Sequence, residues 1–192
     1  MSIKRQLLID KALELFYYNG INSIGINEIL KSSGVAKRTL YMNFDSKEAL
    51  ILAALQQRHE RFLNWLEGKL SGAESDAIVI KNLFHALANW FQNLEPELGD
   101  FRGCFFINTS AEFSDSGCDI ARFCHQHKQE VRLLIKKYLH TESTLLLDSI
   151  CVLKEGAITT AYMTGDSQTV TTNCLDILKV LQESISQKET KK

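Results

Sequence analysis

The chain has few of the residues that make tight turns. One proline and ten glycines are spread over 192 residues, too few for an architecture of short strands joined by closely spaced turns. Hydrophobic residues make up 45% of the sequence, and a chain of this length can bury a sizeable core. The sequence therefore predicts an all-α fold, and its periodic segments indicate about nine helices.

Long apolar runs are also missing. No segment approaches the length that crosses a membrane, and the first residues, MSIKRQLLIDKALELF, lack the hydrophobic block and the small-residue cleavage site of a signal peptide. We therefore expect no membrane partner and a cytoplasmic location.

The cysteines show no pairing pattern. All five are widely spaced and none belongs to a CxxC pair, which argues against a disulfide framework or a zinc finger. Cys118, Cys124, His125 and His127 combine thiols with imidazoles, which suit zinc or copper, but neighbouring residues on a helix diverge by about 100°. We therefore expect Cys124 and His127 to pack in the core, and we predict no metal. A thiol sensor stays a second alternative, because reactivity needs a lowered thiol pKa that the sequence does not show.

Enzyme signatures are absent as well. The sequence contains no GxxxxGK(S/T), GxGxxG, HExxH or GxSxG motif, so phosphate-cradling, zinc-hydrolase and nucleophile-elbow chemistry lack their local signatures. Asn108 and Glu112 stand one helical turn apart, but we interpret such a pair as a structural or ligand-orienting hydrogen bond rather than an acid and a base. We predict no catalytic residue, no cofactor and no enzymatic activity.

Charge of either sign is nearly balanced. The formal net charge is -1, with seven Lys and Arg against five Asp and Glu in residues 1–50 and fifteen against eighteen in the remainder. A difference of this size fits a solvated surface as well as a nucleic-acid contact. Charge alone therefore leaves the function open.

A motif between Asn22 and Lys47, NSIGINEILKSSGVAKRTLYMNFDSK, is more informative. Apolar residues at three- and four-residue spacing predict a short helix, and Gly34 follows it where a left-handed turn residue is needed. Val35, Leu40 and Phe44 anchor a second short helix, whose remaining side chains are donors and acceptors for phosphates and base edges. The pattern predicts a helix-turn-helix that enters the major groove of double-stranded DNA.

The predicted DNA contacts come from both helices and the start of the next one. Asp45 or Ser46 is expected to cap that next helix, which places Lys47 and the first-turn amides beside a backbone phosphate. The candidate DNA-binding residues are Asn27, Lys37, Arg38, Thr39, Tyr41, Met42, Asn43 and Lys47.

These residues resemble a known family. The pattern Leu15-Phe16, Gly20, Ile29, Gly34-Val35, Thr39-Leu40-Tyr41, Phe44 and Ser46-Lys47-Glu48-Ala49-Leu50 is similar to the amino-terminal domain of TetR/AcrR bacterial transcriptional regulators. It covers roughly the first fifty residues and is more specific than a generic helix-turn-helix. Two positions depart from the pattern: Gly25 replaces the usual Thr or Ser cap of the second helix, and Ala36 replaces a frequent Ser cap of the third. A second segment, Arg102–Phe113, resembles the GC-x-F-x-N-x-x-A-E stretch of one subset of the family's regulatory domains.

The resemblance implies two domains and a ligand-responsive function. Residues 1–46 would be the DNA-binding domain, and residues 47–192 the effector-binding and dimerisation domain, with the helix 47–70 linking the two. The family's commonest behaviour is repression from a palindromic operator by a homodimer, relieved by a small-molecule effector. Activation or co-repression stays open, as do a metal- or thiol-responsive sensor and a helical ligand-binding protein without DNA function.

Aromatic residues suggest where an effector binds. They fall on helices that would enclose a cavity, which favours a mainly apolar or aromatic ligand, although each aromatic singly is more often plain core. The candidate pocket residues are Phe62, Trp65, Trp90, Phe106, Asn108, Glu112, Phe113, Phe123, His127 and Tyr162.

The last two predicted helices form a hairpin with small and apolar stripes. Such a hairpin is consistent with simple core packing, whereas the resemblance implies that it pairs with its two-fold mate in a four-helix interface. The candidate dimer residues are Leu146, Ile150, Leu153, Ala157, Ala161, Cys174, Ile177 and Leu181.

Overall fold

The computed structural model describes residues 2–115 and 117–189, and within these ranges it contains nine α-helices and no strand. This confirms the predicted all-α class. The helices are α1 (Ile3–Asn19), α2 (Ile26–Ser33), α3 (Lys37–Asn43), α4 (Lys47–Leu70), α5 (Asp76–Phe91), α6 (Phe105–Glu112), α7 (Asp119–Tyr138), α8 (Thr144–Thr164) and α9 (Ser167–Glu189). None of the helices in the described ranges is long and apolar enough to cross a membrane.

The chain forms two compact units. The first contains the chain up to Arg61 together with Cys104–Lys128, and the second contains Phe62–Gly103 and the chain from Gln129 onwards. The contact units do not test the predicted functional boundary at residues 46 and 47, which stays a prediction.

In the first unit, α1 packs against α2 and α3, and α2 packs against α3. The Ser2 hydroxyl begins α1 by accepting a hydrogen bond from the Arg5 amide at 3.1 Å, as an N-cap serine does. Gly20 ends the helix with φ +82°, a conformation that costs glycine no Cβ clash. The unit is held by a fully buried apolar core that includes Leu8, Ile29, Leu40, Leu50 and Leu55.

In the second unit, α5 packs against both α8 and α9, and α8 packs against α9. The Ser75 hydroxyl caps α5 through the Ile78 amide, and the Ser143 hydroxyl caps α8 through the Leu146 amide. Gly165 ends α8 in the left-handed conformation, as predicted for the break between the last two helices.

The predicted dimer stripe is mostly core of a single chain. Ile150 is 0% exposed, and Leu146, Ala157, Ala161 and Cys174 are also buried. The α5–α8–α9 packing within one chain covers these five residues, and the dimer interface stays a prediction. The predicted residues form the strongest apolar stripe of each helix, and this is the stripe that usually faces the core of the same chain. Leu153 and Leu181 are partly exposed, and Ile177 is exposed.

A second stripe of the hairpin faces outward. Leu145, Val152 and Met163 recur on one side of α8, separated by seven and eleven residues, and Val152 is 71% exposed. Ile177 and Val180 are exposed apolar residues of α9. This second stripe, not the buried one, is the apolar surface that α8 and α9 present.

Candidate nucleic-acid interface

The helix-turn-helix has the predicted turn. Helix α2 ends at Gly34, which has φ +66° and donates its amide to the Leu30 carbonyl at 2.9 Å. Ile29, a residue of α2, is fully buried. The chain then enters α3 after two residues, as the sequence predicts.

Helix α3 is a short helix with one anchored side and one open side. Leu40 is fully buried, and Val35 and Phe44 flank the helix as buried residues. The open side carries Lys37, Arg38, Tyr41 and Met42, all of which are exposed. Met42 is 76% exposed, so this open side carries one apolar side chain beside its polar ones.

The other predicted contacts lie near this face. Asn27 is exposed on α2, while Thr39 and Asn43 are partly exposed on α3. The Asn43 amide group donates back to the Thr39 carbonyl at 2.7 Å.

Lys47 has a partner within the protein. Its Nζ donates to the Ile21 carbonyl at 2.8 Å and lies 5.9 Å from the centre of the Phe16 ring. Ser46, rather than Asp45, caps α4, because its hydroxyl accepts from the Ala49 amide at 3.2 Å. The pKa of Glu48 is lowered by hydrogen bonds from its own backbone amide and from the Ser46 side chain.

Neither short helix has a side-chain cap. Gly25 precedes α2 and Ala36 precedes α3, and each accepts first-turn hydrogen bonds through its carbonyl but offers no side-chain acceptor. The backbone is nevertheless in the extended conformation of an N-cap at both residues, with φ -86° at Gly25 and φ -65° at Ala36. The two departures from the family pattern therefore leave first-turn amides without a side-chain acceptor.

Glu112 contacts the helix-turn-helix directly. Its carboxylate accepts hydrogen bonds from the Ile21 amide at 2.8 Å and the Asn22 amide at 2.6 Å. These two residues form the turn between α1 and α2. Sequence reasoning missed this contact because the partners lie about ninety residues apart.

The predicted pocket residues of the first unit form a ring cluster around a buried histidine pair. His59 Nδ1 lies 3.0 Å from His127 Nδ1, and both side chains are buried. The Phe106 ring stacks on His127 with the ring centres 3.5 Å apart, and Phe123 meets the edge of His59 at 5.7 Å. Phe106, Phe123 and His127 are thus brought together, with His59 as a member that the sequence did not indicate. Phe113 lines an open groove together with Glu48, Leu52 and Ile120.

The predicted pocket residues of the second unit form a separate aromatic cluster. Trp90 lies 5.8 Å from Phe62 and 6.3 Å from Trp65, measured between ring centres. Phe101 contacts Trp90 at 4.9 Å and Tyr162 at 6.1 Å. The Trp65 indole donates to Glu95 at 2.8 Å.

The cysteines differ in their surroundings. Burial raises the pKa of Cys124 to about 11, and it also raises the pKa of Cys151 and Cys174. Cys104 instead accepts a hydrogen bond from Lys128 Nζ at 3.2 Å. Burial lowers the pKa of Arg58, whose guanidinium lies 4.8 Å from the centre of the Tyr17 ring.

The described residues contain no group of three or more His, Cys, Asp and Glu side chains that could hold a metal ion. The expected core packing is confirmed for Cys124 and His127, which are both buried. His125 is exposed and Cys118 is partly exposed.

Known proteins share this arrangement. Residues 8–54 match the family model described as bacterial regulatory proteins, tetR family. The transcriptional repressor ComR of Escherichia coli is 30% identical over 118 residues, which cover 61% of this chain and 54% of that protein. The fatty acid metabolism regulator protein of Bacillus subtilis is 26% identical over 151 residues, which cover 77% and 68%. The chain thus spans about half the length of ComR.

The fold match extends beyond the helix-turn-helix. A crystal structure of a TetR-family transcriptional regulator from Streptomyces coelicolor superposes with a TM-score of 0.84 and 24% identity, covering 96% of this chain and 91% of that one. These relatives are named as transcriptional regulators, which agrees with the prediction of no enzymatic activity. Residues 8–54, which contain α2 and α3, thus match the TetR family of bacterial regulatory proteins, and the fold of the chain is similar to that of a TetR-family regulator.

Proposed function

We propose that the protein is a ligand-responsive repressor that binds a palindromic operator as a homodimer. The observation that carries the proposal is the open side of α3, where Lys37, Arg38, Tyr41 and Met42 are exposed on a helix anchored by Leu40. Arg38 is the base-reading candidate because an exposed guanidinium binds the edge of guanine with two hydrogen bonds. Lys37 and Tyr41 suit phosphate oxygens, and Met42 suits a thymine methyl group.

A single short helix binds too weakly to specify a site. A homodimer presents two copies of α3, which would bind successive major grooves on one side of the duplex. The exposed apolar residues of α8 and α9 supply a surface on which two copies would pair. The effector would favour a dimer conformation in which the two copies of α3 no longer match the groove spacing, and operator DNA would favour the other conformation.

The DNA-binding proposal is tested by selection and titration. The operator is first selected from a pool of random-sequence duplexes, and affinity is then measured by gel shift. Arg38→Ala is expected to reduce affinity for the selected site by about tenfold or more and to relax its sequence preference, because one bidentate base contact is lost. Tyr41→Ala is expected to weaken binding to selected and random DNA alike.

Lys81→Ala is the matched control, since it removes an exposed positive charge from α5. An Arg38→Ala protein with unchanged sequence preference would contradict the base-reading role. A wild-type protein that enriches no sequence would contradict the DNA-binding function and favour a helical ligand-binding protein.

The effector class is tested on the same complex. The aromatic clusters favour a mainly apolar ligand, so palmitate and 1-anilinonaphthalene-8-sulfonate are the probes, and release of operator DNA is the expected result. Release by hydrogen peroxide alone, abolished in Cys104→Ser, would instead favour a thiol-responsive regulator at the Cys104–Lys128 pair.

A further inference from the structure

The turn between α1 and α2 is held by charged side chains at both ends of one peptide group. The Ile21 carbonyl accepts from Lys47 Nζ at 2.8 Å, and the Asn22 amide of the same peptide group donates to Glu112 at 2.6 Å. The second Glu112 oxygen accepts the Ile21 amide at 2.8 Å. Hydrogen bonds to charged groups are the stronger class, and a carboxylate that binds two successive amides fixes their direction as well.

The local backbone fits this carboxylate closely. Gly20 has φ +82°, and a Cβ at that residue would stand 3.2 Å from Glu112 Oε1. A Cβ at position 20 would therefore require the carboxylate to shift slightly, and the positive φ would strain any residue other than glycine. The glycine and the glutamate form one site, although they lie on opposite sides of the helix-turn-helix in sequence.

Glu112 is the last residue of α6, and α6 also contacts the ring cluster. Phe106, near its first turn, stacks on His127, and the neighbouring Phe105 meets the Tyr17 ring at 5.9 Å. An eight-residue helix is about 12 Å long. A displacement of α6 at Phe106 would therefore move Glu112, and with it the α1–α2 turn, through direct contacts.

We propose that Glu112 is a positioning residue for DNA binding: its carboxylate holds the Ile21–Asn22 turn and thereby couples the position of α6 to that of the helix-turn-helix. The inference rests on the proposed DNA-binding function and adds the residue through which α6 acts on it. In this role Glu112 itself contacts no base or phosphate. Its removal changes sequence-specific binding because α2 and α3 follow the turn that it holds.

The test compares Glu112→Gln with the wild type. The amide side chain keeps the size of glutamate but loses the charge and one acceptor oxygen, so only one of the two backbone amides keeps its partner. We expect amide hydrogen exchange at Ile21 and Asn22 to rise about tenfold or more, with faster exchange through α3. Affinity for the selected operator is expected to fall about tenfold, within the usual range of coupling between sites.

The ratio of operator affinity to random-DNA affinity separates positioning from simple instability. A protein with a smaller folded fraction binds both DNAs less in equal proportion, whereas a displaced helix-turn-helix loses the selected site and keeps its phosphate contacts. Glu97→Gln is the matched control, because Glu97 is an exposed carboxylate outside the first unit.

Two results would overturn the inference. One is unchanged exchange at Ile21, Asn22 and α3 in Glu112→Gln, which can be measured even if no DNA is bound. The other is a wild-type affinity ratio in a variant whose turn amides exchange faster. Failure of the DNA-binding function is a different result, since the wild-type protein would then enrich no sequence at all.

Discussion

The two short helices of the helix-turn-helix both lack a side-chain cap. Helix α3 is seven residues long, and Ala36, the residue before it, offers no side-chain acceptor to the first turn. Isolated helices of this length are unstable in water. The stability of α3 therefore depends on the burial of Leu40 and on the hydrogen bonds of its first-turn amides. The same deficit at Gly25 affects α2.

A serine at position 36 is expected to stabilise the protein. The backbone of Ala36 already has the N-cap conformation, with φ -65° and ψ 144°, so a Ser hydroxyl would reach the first-turn amides without strain. We expect Ala36→Ser to raise the free energy of unfolding by about 1 kcal/mol, measured by urea denaturation.

The reciprocal change provides the control. Ser75→Ala removes the hydroxyl that caps α5 and is expected to lower the free energy of unfolding by about the same 1 kcal/mol. If Ala36→Ser left the urea midpoint unchanged while Ser75→Ala lowered it, the first-turn amides of α3 would not be a weak point.

Glu95 shows a different residue-scale effect, in the second unit. Burial alone would raise its pKa, but hydrogen bonds from Lys69, Trp65 and Asn89 outweigh that effect, and the pKa lies below the ordinary value. Lys69 Nζ is 2.7 Å from one carboxylate oxygen, and Glu95 is buried. A carboxylate with a lowered folded-state pKa contributes stability above its unfolded pKa and loses it as pH falls through the folded value.

We therefore expect Glu95→Gln to destabilise the protein by about 1–3 kcal/mol at pH 7. The difference from wild type should shrink as pH falls through the lowered pKa of Glu95, because the wild-type carboxylate then takes up its proton. Urea midpoints at pH 7, 5 and 3.5 measure this trend. A difference that stays constant over the range would contradict the ionised, hydrogen-bonded state of Glu95.

At the scale of helices, the features that depend on nearby residues are predictable from the sequence, and those that depend on distant residues are not. The end of α2 at Gly34 and the buried anchors Val35, Leu40 and Phe44 follow from spacing within about ten residues, so the sequence predicts them. Lys47 contacts a carbonyl that lies 26 positions away in the sequence. Glu112 binds amides that lie about ninety positions away. Spacing within one helix carries no information about such partners.

Helices α8 and α9 show a second limit of periodicity. Both carry apolar residues on more than one side, and the strongest stripe is buried inside the chain while a weaker one is exposed. A hydrophobic pattern predicts that a face is covered, but it does not say whether the cover is the same chain or another copy. The predicted ring residues behave similarly: they cluster as expected for core, and their sequence did not reveal His59 as their neighbour.

At the scale of the whole molecule, the exposed stripe of α8 and α9 is the expected contact between two copies. We predict that Val152→Asp shifts the protein from dimer to monomer in sedimentation velocity, because a charge in the centre of an apolar interface loses its hydration. Operator affinity should fall with it, since one copy binds a single half-site.

Leu133→Asp is the control for this change. Leu133 is an exposed apolar residue of α7, 63% exposed, and lies outside the α8–α9 stripe. It should leave the sedimentation coefficient unchanged. A Val152→Asp protein that remains dimeric would place the interface elsewhere.

The contact between Glu112 and the α1–α2 turn also bears on how the protein is made. During synthesis, Ile21 and Asn22 leave the ribosome long before residue 112 does, so their amides have no carboxylate to bind while more than half of the chain is still missing. Contacts of such large sequence separation form late and slow folding. The α1–α2 turn therefore gains its carboxylate partner only after α6 has been translated, and a nascent chain stalled before that point would lack this contact.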